Sequence, residues 1–133
     1  MDMLGYLGCS RRRAIPLDPT LVVAQDRVAA VVEAEILTDP SRARMFGQLI
    51  RRCLVQPRPI TCRLPTSAAE PSLARRRVWL VLDEPPTWGT DRFVAFDPDR
   101  RQFAVGVWRG DGAWLVDCWG GFFSMLQRVA RAC

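Results

Sequence analysis

Two turn signals, Asp97-Pro98-Asp99-Arg100-Arg101 and Asp111-Gly112, constrain this chain more than any other feature. Pro98 has the fixed φ that suits the second position of a turn, and Asp97 can cap that turn through its carboxylate. A four-residue loop over 98–101 pairs Phe96 with Phe103 and Val94 with Val105. Asp111-Gly112 tolerates positive φ and marks a two-residue hairpin. It pairs Arg109 with Trp114, Val107 with Val116 and Val105 with Cys118. Side chains alternate along a strand, so both registers place Val94, Phe96, Phe103, Val105, Val107, Trp114, Val116 and Cys118 on one face. Two independent turns giving one apolar face predict an antiparallel meander.

The other face carries Phe93, Ala95, Ala104, Gly106, Trp108, Leu115, Asp117 and Trp119. Small residues in a strand usually mark close approach by another element, so a helix is expected across Ala95, Ala104 and Gly106. A shallow binding groove is the alternative.

The segments around the meander complete the fold. Asp18-Pro19 has the form of a helix start, a capping carboxylate followed by proline at the first helical position. Thr38-Asp39-Pro40 repeats it, and a second helix is expected from about Ser41 to Val55, with Met45, Phe46, Leu49, Cys53 and Leu54 on one stripe. Ile60–Leu64, flanked by prolines, suits a short edge strand. Val78–Leu82 is the first strand of the meander. After Gly120-Gly121, the stripe Phe122, Met125, Leu126 and Val129 predicts a helix packed on the sheet. The expected fold is α+β: two N-terminal helices, a four-stranded antiparallel meander and a C-terminal helix. At 133 residues the chain is expected to form a single domain over 1–133, with 1–16 a frayed end and 65–77 a flexible loop.

Composition narrows the chemistry. All 19 basic residues are Arg, and the net charge is +5. The absence of Lys and Asn, both encoded by AT-rich codons, points to GC-rich coding of bacterial or phage type. With no His, the usual general base near neutral pH and the commonest metal ligand are both missing. The five Cys contain no Cys-x-x-Cys pair, so neither a zinc site nor a disulfide framework is expected, and the compartment reads as reducing cytoplasm. Cys53 and Cys118 read as buried thiols. No stretch has the length of a membrane span. No nucleotide-binding glycine loop or nucleophile elbow is present, so no catalytic residue, metal or cofactor is expected. A carboxylate enzyme drawing on Asp83, Glu84, Asp91 and Asp117 is an alternative with no assignable site.

All five Trp lie in the C-terminal half, and Trp and Arg are enriched at interface hot spots. The function expected is recognition of another protein, one of acidic surface, in the manner of an inhibitor, an immunity protein or an adaptor. The expected contact set is Trp88, Trp108 and Trp119, the cluster Arg75, Arg76 and Arg77, and the acidic residues Asp83, Glu84 and Asp91. Nucleic-acid binding through the Arg clusters is the main alternative. A bare second sheet face would also allow a homodimer.

Overall fold

The structure is a computed structural model that describes residues 18–64, 75–84, 91–110 and 112–131, without the side chains of 117, 118 and 131. The expectations for 1–16, for 65–74, for Trp88 and for the side chains of Asp117 and Cys118 lie outside these described residues.

The chain is mixed α and β, and its sheet closes. Helix α1 (Pro19–Thr38) is followed by two short helices, α2 (Pro40–Met45) and α3 (Gly47–Cys53). Five strands then run as a meander: β1 (Leu54–Arg63), β2 (Arg75–Asp83), β3 (Arg92–Asp97), β4 (Gln102–Arg109) and β5 (Gly112–Gly120). Helix α4 (Phe122–Arg131) ends the fold. Neighbouring strands are antiparallel, and β1 meets β5 in parallel through Cys62 opposite Ala113 and Arg63 opposite Trp114. The result is a closed five-stranded barrel rather than an open four-stranded sheet.

The helix starts form as their sequence implies. Asp18 Oδ1 accepts from the Thr20 backbone N–H at 2.9 Å, and Asp39 Oδ1 accepts from the Arg42 N–H at 3.1 Å. These carboxylates satisfy backbone donors that an α-helix leaves orphaned at its first turn. The expected single helix over 41–55 is instead broken at Phe46, whose ψ of 19° ends α2 before Gly47 opens α3. Helix α3 stops at Cys53, and the chain passes straight into β1.

Strand β1 was expected only as the fragment 60–64, because Pro57 and Pro59 read as breakers. Both are accommodated. Pro57 falls in the irregularity between Leu54 and Arg58, and its carbonyl accepts from the Gln25 side-chain amide at 2.7 Å. Pro59 pairs with Trp79 on one side, while the paired contact with β5 involves only Cys62 and Arg63. Neither proline is therefore asked for a ladder hydrogen bond on both sides. Strand β2 begins at Arg75, so the Arg75–Arg77 cluster belongs to the barrel and not to a loop.

The 98–101 turn gives the expected register, with Phe96 opposite Phe103 and Val94 opposite Val105. Asp97 caps it, its Oδ1 accepting from the Asp99 N–H at 2.9 Å. The second hairpin is offset from the expected register at its tip. Arg109 pairs with Gly112 and Val107 with Trp114, and Gly110 takes a positive φ of 42°. An irregularity beyond Gly106 restores the expected register at Ala104 opposite Trp119. The slip is two residues, so no side chain changes face.

Two apolar layers share the sheet. Val94, Phe96, Phe103 and Val105 lie on the outer surface, packed with Val28 and Val32 of α1 and Phe122, Met125, Leu126 and Val129 of α4. Phe93, Ala95, Ala104 and Leu115 lie in the second layer with Val55, Cys62, Val78 and Leu80, filling the barrel. No helix crosses Ala95, Ala104 and Gly106. They are small because the barrel interior is narrow. A Cβ on Gly106 would stand 2.1 Å from the Phe93 ring.

Candidate functional site

The described residues of the expected contact set lie at opposite ends of the barrel. Strand β2 places Arg75–Arg77 at one end and Asp83 at the other, about 20–27 Å apart at strand rise. Asp83 and Glu84 are buried, at 0% and 1% exposure. The Trp108 indole N–H donates to Asp83 Oδ1 at 2.9 Å, and the Trp108 ring lies 5.0 Å from that of Phe93. Arg58 joins this group: burial pushes its guanidinium down from its ordinary value, while the Asp83 charge acts in the opposite direction. Asp91 supports the same end, its carbonyl accepting from the Trp108 backbone N–H at 2.8 Å.

The other end of the barrel has a matching arrangement. Arg76 Nε is bonded to buried Asp97. The guanidiniums of Arg76 and Arg100 lie 5.8 and 4.3 Å from the ring centroid of half-buried Trp119. Each mouth of the barrel is thus closed by a Trp, an Arg and an Asp. A buried carboxylate needs hydrogen bonds, and Trp108 donates one to Asp83 as Arg76 does to Asp97. Trp108 and Asp83 thus meet at one mouth, and Arg76 and Trp119 at the other.

A surface does form where the helices stop. The outer face that they cover at Val94, Phe96, Phe103 and Val105 continues toward the β4–β5 hairpin, where among the described residues no helix packs on it. A helix of ten residues spans about 15 Å, whereas strands of eight or nine span about 27 Å, so α4 cannot roof β4 and β5 along their length. One cross-strand row runs Val107, Trp114, Arg63, Arg75, each opposite the next. At about 4.8 Å per strand it is roughly 14 Å wide. Arg77, opposite Thr61, and Arg109, opposite Gly112, flank it. Val116 stands beside it with 45% of its surface exposed. The Arg63 guanidinium lies over the Trp114 ring at 5.4 Å, within cation–π range.

This wall is apolar at its centre and ringed by arginines. Of the expected set it retains Arg75 and Arg77. It adds Val107, Trp114 and Val116, which sequence reading placed on a core face, Arg63, which it placed in an edge strand, and Arg109. Exposed carboxylates such as Asp18, Asp26 and Glu33 are carried on α1 instead. Among the described residues, no cluster of three His, Cys, Asp or Glu could hold a metal ion, and no helix is long and apolar enough to cross a membrane.

No protein-family model matches the chain, and neither a curated protein nor a solved structure matches it. The functional reading therefore rests on the wall itself.

Proposed function

We propose that this chain is a non-catalytic recognition module that binds an acidic protein through the outer wall of its barrel, as an inhibitor, immunity protein or adaptor does. The observation that carries the reading is the row Val107–Trp114–Arg63–Arg75 with Val116, Arg77 and Arg109 around it. An apolar centre with a charged rim is the usual anatomy of a protein interface, and Trp and Arg dominate its energetics. Arginine suits such a rim because its planar fork pairs with carboxylates through two hydrogen bonds. The net charge of +5 favours an acidic partner during encounter. The buried thiols of Cys53 and Cys62 fit a reducing cytoplasm.

The test is affinity capture from the native host with the whole chain as bait, with and without nuclease. Three baits are compared: wild type, Arg63→Glu/Arg75→Glu and Trp114→Ala. Wild type should retain a protein of acidic surface whether or not nuclease is present. Charge reversal should lower its recovery at least about ten-fold, and Trp114→Ala should cost about 2 kcal/mol of binding. Equal recovery by all three baits excludes the wall. Capture that disappears with nuclease replaces the protein partner with nucleic acid.

A further inference from the structure

A second feature lies away from the wall, on the helix side of the barrel. Helix α1, the β3–β4 turn and the start of α4 enclose an open cleft of about 700 Å³. This volume is within the range of small-molecule sites. Two arginines line it, Arg27 from α1 and Arg101 from the turn. Among the described residues neither forms an ion pair. The one carboxylate lining the cleft, Glu35, accepts from the Phe122 backbone N–H at 3.4 Å, which sets its charge against the positive end of α4. Phe96 and Phe103, whose rings lie 4.9 Å apart, form an apolar wall.

The backbone at Arg101 adds to this. Its φ is +54°, in the left-handed region where glycine is preferred and a side chain is disfavoured. The turn alone would be better served by Gly. An arginine at that position places a cation at the cleft against the local backbone preference.

We infer that this cleft binds a small organic anion, with Arg27 and Arg101 on its phosphate or carboxylate group and its apolar body against Phe96 and Phe103. Two arginines converging on one anion make charge-assisted hydrogen bonds, and the apolar wall selects against a bare inorganic ion. The inference does not depend on the protein-binding reading, since it uses different residues.

The experiment is calorimetric titration of the whole chain with phenyl phosphate, using inorganic phosphate and phenol as controls. Phenyl phosphate should bind saturably, and each control should bind at least about ten-fold more weakly because it lacks one half of the recognition. Arg27→Ala should lose at least about ten-fold in affinity. Arg101→Gly should lose as much while its melting temperature rises, since glycine relieves the left-handed backbone. That combination separates a lost ligand contact from a damaged fold. No saturable heat at millimolar phenyl phosphate overturns the inference. So does unchanged affinity in both variants, or inorganic phosphate binding as tightly as the aryl ester.

Discussion

Cys62 is sealed inside the barrel, and burial pushes its thiol up to about 12 from an ordinary 9.0. In the unfolded chain the same thiol ionises at its ordinary value. Below pH 9.0 both states keep the proton and this group leaves stability unchanged. As pH rises from 9.0 toward about 12, the unfolded state loses a proton that the native state retains, so stability falls across that window. The chain has no Lys, but four other Cys and one Tyr ionise in the same range, so the contribution of Cys62 is read from the difference between wild type and Cys62→Ala. The urea midpoint should therefore decline through this range, and Cys62→Ala should flatten the decline. An identical alkaline loss in the variant would remove Cys62 as the cause. Asp97 offers a second test at the same scale. Its carboxylate is bonded to Arg76 and caps the 98–101 turn. Removing one partner of a buried ion pair costs about 3–5 kcal/mol. Arg76 is 28% exposed and can rehydrate, so Asp97→Ala should cost nearer 2 kcal/mol. A loss in denaturant midpoint equivalent to less than about 0.5 kcal/mol would show that the pair is idle.

The elements divide into those with local signals and those without. Helix starts at Asp18-Pro19 and Asp39-Pro40, and the Pro98 turn with its register, follow from residues a few positions apart, and all form as read. Strand β1 and the barrel closure do not. Pro57 and Pro59 look like breakers until the irregularity and the unpaired side of the strand are known, and these depend on β2 and β5. The meaning of Gly106 was hidden for the same reason. Its sequence context predicts a neighbour close to the backbone, but not that the neighbour is Phe93 from inside the same barrel. Gly106→Ala tests this directly. The Phe93 ring, already packed at 5.0 Å from Trp108, would have to move for the new methyl. Overpacking of this kind costs about 1–3 kcal/mol, so the melting temperature should fall by roughly 4–10 °C. Adding Phe93→Leu should recover part of the loss. If Gly106→Ala is neutral, or the double variant is worse than additive, Phe93 is not what fills the space.

At the scale of the whole molecule, the barrel is unevenly closed. Strands β3 and β4 are paired from Arg92 to Asp97 without interruption, whereas β1 and β5 meet at only Cys62–Ala113 and Arg63–Trp114. The same seam underlies the uncovered wall. Val107, Trp114 and Val116 read as core in the sequence, because the strands show one continuous apolar face and only the lengths of helix and strand reveal where cover ends. Few paired backbone groups and no helical roof both lower the free energy of local opening. Amide exchange should therefore be fastest among strand residues at 62–63 and 113–114, and slowest in the β3–β4 ladder. Opening there would expose the buried Cys62 thiol without global unfolding, so its rate of alkylation should track seam exchange and exceed that of Cys53, which is sealed near α1 and α4. A partner docked across Trp114 and Arg63 would bridge the two strands and slow both rates together. If the seam amides exchange only through global unfolding, the two backbone pairs and the Arg63–Trp114 contact hold the barrel as firmly as its long ladders, and the wall is a rigid platform rather than a yielding one.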